Sequence, residues 1–174
     1  MSLASAMNPT APIEDMETAV AAARASAIAI ALGVVWGMIV LIYTLTGGQA
    51  AMQAALAQAA ADGPEATAMA GAVGSFAIGL MIFFIVVQVI LGLVQWFKPN
   101  NVIPILFIIL VIYGLGSGAL SLMMAGSLPA NAATPMWVTV GGFVVMIIEL
   151  ILHISGVRGA SKIKELEYEL LDNI

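Results

Sequence analysis

Charged residues divide the chain into long uncharged stretches. No residue is charged between Arg24 and Asp62, between Glu65 and Lys98, or between Lys98 and Glu149. A helix rises about 1.5 Å per residue and the hydrocarbon core of a bilayer is about 30 Å thick, so each stretch is longer than one span requires. Glycine and proline signals must therefore set the ends of the spans.

These signals predict four transmembrane helices. The first stops at Gly47, and the second stops at Lys98 because a helix rarely includes the residue before a proline. Pro104 is tolerated in the first turn of the third helix. The stretch after Lys98 would measure roughly 75 Å as one helix, so it must fold back, and the loop 126–135 has the residues for a turn. The predicted spans are 25–46, 74–97, 102–125 and 136–157.

Two segments outside the spans have helical character. Residues 49–61 are rich in alanine and predict a short extracytoplasmic helix. The C-terminal segment is amphipathic, because Ile163, Leu166, Leu170 and Ile174 recur at i, i+3, i+7 and i+11 and form one apolar stripe. A stripe of about three turns needs a surface to pack on. We interpret it as a partner-docking helix, with the bilayer or the protein's own helices as alternatives.

The distribution of lysine and arginine predicts the orientation. If the N-terminus is inside, the outer segments 47–73 and 126–135 contain no basic residue, and all five lie on the inner side. The positive-inside rule then places both termini in the cytoplasm, with tails 1–24 and 158–174. Richness in alanine and glycine favours a bacterial source, and hence the inner membrane. The five basic residues are Arg24, Lys98, Arg158, Lys162 and Lys164.

Composition agrees with this pattern. The chain is 62% hydrophobic and 9% charged, whereas soluble domains are about 45–50% apolar and about 25% charged. We therefore expect a single all-α transmembrane domain over residues 1–174, an integral membrane four-helix bundle. The absence of cysteine excludes disulfides, thiolate catalysis and iron–sulfur clusters. Nucleic acid is not expected as a partner, because five basic residues cannot neutralise many phosphates.

Four polar side chains in the predicted spans are candidates for a functional site. Ionisable groups inside a membrane are costly and mark functional sites by default. Glu149 and His153 lie four residues apart on one face of the fourth helix. Gln88 lies roughly 15 Å deep and Glu149 roughly 13 Å deep, when depth is counted from the nearest basic residue. Gln95 lies near the depth of His153. We therefore expect a polar contact between the second and fourth spans.

This contact has two interpretations. It could be a proton or cation site, with Glu149 exchanging protons and His153 relaying them toward the cytoplasm. It could instead be structural, with Glu149 hydrogen-bonded between two helices. Small residues are expected where helix backbones approach closely. The candidate packing positions are Gly33, Gly37, Gly114, Gly118 and Gly142.

No set of residues for catalysis can be assembled. The sequence offers no serine–histidine–aspartate set, no glycine-rich phosphate loop and only one carboxylate within a span. No catalytic residue, metal ion or cofactor is therefore expected, and a lipid-modifying enzyme is the least supported function. The favoured function is a non-catalytic accessory or assembly subunit that packs against other membrane proteins or itself in the lipid bilayer. The alternative is a homo-oligomeric transporter or channel for protons, cations or small solutes that uses Glu149 and His153.

Overall fold

The computed structural model describes residues 7–61, 63–124 and 135–172, and these residues form helices without any strand. Four of the helices are long and apolar enough to cross a membrane. The prediction of an all-α chain with four such helices is therefore confirmed, as is the short helix at 49–61. The helices are α1 (Met16–Thr46), α2 (Gln49–Ala61), α3 (Pro64–Phe97), α4 (Val102–Met124) and α5 (Met136–Asp172).

Two of the long helices begin well before the predicted spans. α1 starts at Met16, because Asp15 forms a capping box in which its side chain accepts a hydrogen bond from the Thr18 backbone N–H. α3 starts at Pro64, which occupies the first turn. Gly74 does not interrupt α3, because it packs against α2. A Cβ placed on Gly74 would lie 3.6 Å from the Met52 sulfur. Packing between helices outweighs the helix-breaking tendency of glycine here.

The fourth span and the amphipathic tail form one continuous helix. The sequence suggests an end between Gly156 and Arg158, but α5 runs for 37 residues to Asp172. Gly156 and Gly159 are contact points with α1. A Cβ on Gly156 would lie 2.5 Å from the Ser26 Cβ, and one on Gly159 would lie 2.6 Å from the Ala19 carbonyl oxygen. The helix continues because its glycines allow α1 to approach closely.

α1 is the central helix of the fold. It packs most extensively against α5 and next against α3, while α4 packs against α5 and α2 against α3. Small side chains fill the α1–α5 interface: Ala25 and Ala29 are fully buried and contact Leu152. Ile30 connects α1 to α4 through Ile103 and Phe107. The fold is therefore a bundle in which α1 separates α3 from much of α5.

Large apolar side chains cover the outside of the bundle. The most exposed examples are Met123 on α4 at 83% and Met136 on α5 at 76%. Such a surface suits lipid as the surrounding solvent. It is compatible with a multi-pass membrane protein.

Candidate functional site

Glu149 and Gln88 meet at Gly33 on the central helix. A Cβ placed on Gly33 would overlap Oε1 of Glu149, and would lie 3.4 Å from Cδ of Glu149 and 3.5 Å from Oε1 of Gln88. The missing side chain of Gly33 therefore provides the space into which both polar groups reach. The sequence predicts a polar contact between the second and fourth spans. In the structure these two side chains come together at the first span, which lies between the other two.

The two groups that meet at Gly33 present oxygen atoms to the same space. In the described part of the chain no hydrogen bond joins Gln88 to Glu149, and no ion pair involves Glu149. Two acceptor oxygens can bond to each other only if a proton lies between them. A protonated Glu149 carboxyl group can donate a hydrogen bond to the Gln88 side-chain oxygen. Alternatively, if the Gln88 side-chain amide is flipped, its NH₂ group can donate a hydrogen bond to the ionised Glu149 carboxylate. The site can therefore hold or release one proton.

His153 lies in a separate contact between three helices. Its side chain is fully buried, its Nδ1 lies 2.8 Å from the Ser26 hydroxyl of α1, and its ring stacks on Phe107 of α4 at 5.2 Å. The other ring nitrogen, Nε2, is buried without a hydrogen-bond partner among the described residues. No hydrogen bond in the described chain joins His153 to Glu149. Glu149 and His153 share one face of α5, but Glu149 contacts Gly33 whereas His153 contacts Ser26 and Phe107.

Gln95 is a fully buried structural residue in α3. Its Nε2 donates to the carbonyl oxygens of Ala23 and Asn100, each at 3.2 Å, and its Oε1 accepts from the Asn100 backbone N–H at 3.4 Å. These bonds tie α3 to α1 and to the turn before α4. Of the four predicted polar residues, the structure brings Gln88 and Glu149 together, while Gln95 and His153 each bond elsewhere.

The predicted packing glycines all face another helix. A Cβ on Gly37 would lie 3.3 Å from Ile85, and one on Gly142 would lie 3.6 Å from Trp36 Nε1. On α4, Gly114 and Gly118 face α5. Their Cβ atoms would lie 3.0 Å from the Met146 sulfur and 3.1 Å from the Phe143 Cζ.

The C-terminal stripe lies partly against the start of α1. Ile163 and Leu166 are half-buried, whereas Leu170 is 64% exposed. Leu166 and Leu170 line a cavity of about 340 Å³ together with Met16. The remaining residue of the stripe, Ile174, lies outside the described residues. The inner part of the stripe thus has a surface on the protein itself.

Sequence reasoning missed the partner of His153 and the closest helix contact. Ser26 is the only hydroxyl group between Ala19 and Gly33, and a lone polar residue in an alanine-rich helix is a usable signal for a buried hydrogen bond. Gly156 and Gly159 are spaced i, i+3 and face small residues on α1, Ser26 and Ala23 respectively. That spacing is a second signal, since small residues face each other where helices touch.

No metal site is evident in residues 7–61, 63–124 and 135–172, because no three histidine, cysteine, aspartate or glutamate side chains come together there. The chain matches no protein-family model, and neither a curated protein nor a solved structure is significantly similar to it. The functional argument therefore depends on the geometry alone.

Proposed function

We propose that the protein is a non-catalytic accessory subunit that packs against other membrane proteins through α3. The observation that carries this proposal is an exposed apolar stripe on that helix. Among the described residues of α3 only Gln95 is buried. Met69, Val73 and Phe76, at i, i+4 and i+7, are 69%, 62% and 71% exposed. A face of this kind suits a partner helix.

The stripe extends beyond the membrane. α3 has 34 residues and is therefore about 51 Å long. Membrane helices tilt by at most about 40°, and at that angle about 26 residues cross a core of about 30 Å. At least about eight residues must project, and Met69 lies in that projection if α3 leaves the membrane at its N-terminal end. The headgroup layer covers an apolar side chain poorly there, whereas a partner helix can bury it.

A neighbouring face of α3 carries small side chains. Ala68, Ala72, Ser75 and Gly79 are all exposed and fall at i, i+4, i+7 and i+11. A Cβ on Gly79 would meet no atom within 4 Å. Small residues at this spacing let a second helix approach closely in a membrane. They support docking of a partner helix beside the apolar stripe.

The first test is the native mass of the particle extracted in mild detergent. We expect other polypeptides to be present, and we expect Gly79→Leu to release them because the added side chain fills the small-residue face. Gly116→Leu on α4 is the matched control, since Gly116 also has no atom within 4 Å of its Cβ position. A particle that contains only this chain would contradict the accessory function.

We also propose that both termini lie in the cytoplasm and that the membrane is a bacterial inner membrane. The distribution of basic residues supports the orientation, and the richness in alanine and glycine supports the bacterial source. Because the chain lacks cysteine, single cysteines report topology directly. Thr10→Cys and Tyr168→Cys should react with an impermeant maleimide only after the cells are opened, and Gln58→Cys in α2 should react in intact cells. Labelling of Tyr168→Cys in intact cells would contradict the orientation.

The alternative proposal is a homo-oligomeric transporter or channel that uses Glu149 and His153. The contact of Glu149 and Gln88 at Gly33 favours it, because that site can hold a proton. In reconstituted vesicles, Glu149→Gln should abolish flux of the transported ion while the protein keeps its helical content. Unchanged flux in the variant would remove Glu149 from the transport mechanism.

A further inference from the structure

A groove of about 350 Å³ runs between α1 and α3. Small side chains on both helices create it, including Ala27 and Ala31 on α1 and Gly92 on α3. Apart from Gln88, the side chains that line it are apolar. Both of its walls belong to predicted membrane spans, so the groove opens toward lipid. A groove of this kind is filled in a bilayer, either by an acyl chain or by another helix.

A cation without an acidic partner lies at one end of this groove. Trp96 lines the groove, and the Arg24 guanidinium lies 5.2 Å from the centre of the Trp96 ring. The Nε of Arg24 donates to the Trp96 carbonyl oxygen at 3.3 Å. In the described chain no carboxylate pairs with Arg24. Lys98 follows two residues after Trp96 and is exposed, so a second basic residue lies at the same end of α3.

Along α1 the acidic residue nearest to Arg24 is Glu17. It precedes Arg24 by seven residues, which is about 10 Å along a helix. The Debye length is about 8 Å at physiological salt, so exposed charges at that separation are largely screened. Glu17 therefore offsets the positive charge of Arg24 only weakly.

We propose that this groove binds an anionic phospholipid, with an acyl chain between α1 and α3 and the phosphate at Arg24 and Lys98. A guanidinium group matches the geometry of phosphate oxygens, and its stacking on Trp96 fixes its plane. Basic pockets between transmembrane helices recognise lipid headgroups through the same chemistry. This site is independent of the proposed partner surface of α3, which lies nearer its N-terminal end.

The test uses the fluorescence of Trp96 in vesicles. In a protein with Trp36→Phe and Trp137→Phe, Trp96 is the single tryptophan. Phosphatidylglycerol with brominated acyl chains should quench it at lower mole fraction than brominated phosphatidylcholine. Each basic residue near a membrane surface contributes about 1 kcal/mol, which is a factor of about 5 in affinity. Two charges therefore predict a preference of about 25-fold for phosphatidylglycerol.

Variants separate the charge from the groove. Arg24→Gln should reduce the preference to about 5-fold. Arg24→Lys keeps the charge but not the planar guanidinium, so it should retain only part of the preference. The distant control Lys164→Gln should retain all of it. Ala31→Leu narrows the groove and should weaken quenching by both lipids. Ala77→Leu, an exposed alanine of α3 that does not line the groove, should have no effect.

Equal quenching by the two lipids in the single-tryptophan protein would overturn the proposal, as would an unchanged preference in Arg24→Gln. Absence of quenching by either lipid would show that protein fills the groove, and this would also overturn it. The accessory function is tested separately by native mass, so the two proposals can fail independently of each other.

Discussion

The backbones of α1 and α5 lie close together at Gly159. A Cβ on Gly159 would overlap the Ala23 nitrogen and would lie 2.6 Å from the Ala19 oxygen and 2.7 Å from the Ala22 carbonyl carbon. These are backbone atoms, so no change of rotamer can make room. The substitution Gly159→Ala must therefore move one helix away from the other along their main interface.

The size of the effect follows from two opposing terms. Overpacking typically costs about 1–3 kcal/mol, and contact with rigid backbone places Gly159→Ala at the upper end. Replacing glycine by alanine inside a helix stabilises it by about 1 kcal/mol. The net loss is about 2 kcal/mol of unfolding free energy. For a chain of this size that lowers the Tm by about 4–8 °C.

Thermal unfolding in detergent, followed by circular dichroism, measures this difference. The control is Gly79→Ala, where the same change meets no atom within 4 Å. It should leave the Tm unchanged or raise it, because only the helix-propensity term remains. A Gly159→Ala protein as stable as the wild type, with Gly79→Ala behaving as expected, would refute the close approach of α1 and α5.

Two further predictions concern hydrogen bonds made by the N-terminal half of α1 and its cap. Ser26→Ala leaves Nδ1 of buried His153 without its partner and should cost about 1–3 kcal/mol in detergent unfolding, whereas exposed Ser117→Ala should cost little; equal effects would contradict the buried bond. Hydrogen bonds from Thr18 lower the pKa of Asp15. The ionised Asp15 cap therefore stabilises α1 fully at pH values above the ordinary aspartate pKa. This stabilisation is lost as the pH falls through the lowered pKa. Over that pH range the protection factors of amide exchange in the first turn of α1 should fall in the wild type and stay constant in Asp15→Asn. The same pH dependence in both proteins would contradict the charge effect.

The pattern of charge and hydropathy was sufficient to predict the number and type of the helices. Long uncharged stretches have few alternatives to membrane-length helices, because every backbone group must be paired within the segment. The helix ends were less predictable. The sequence suggests an end near Gly156, but whether a glycine ends a helix or contacts a neighbour depends on the helix that lies against it. Only the fold shows that α1 occupies that position.

The proximity of Gln88 and Glu149 was predictable from the sequence, but the contacts of His153 and Gln95 were not. The number of residues from each side chain to the nearest basic residue predicts a similar depth for Gln88 and Glu149. In the structure both side chains reach Gly33. Helical spacing also grouped His153 with Glu149. The order in which helices surround each other decides which side chains touch, and that order leaves no signal in the periodicity of one helix. For this reason the Ser26 hydroxyl was not recognised as the partner of His153.

The continuity of α5 connects the polar site to the C-terminal tail. A single helix carries Glu149 in the bundle and Leu170 at the far end, so these positions are joined by 21 residues of unbroken helix, about 31 Å. At Gly159 this helix contacts the backbone of α1, which also carries Gly33. The tail and the site at Gly33 are therefore built on the same pair of helices.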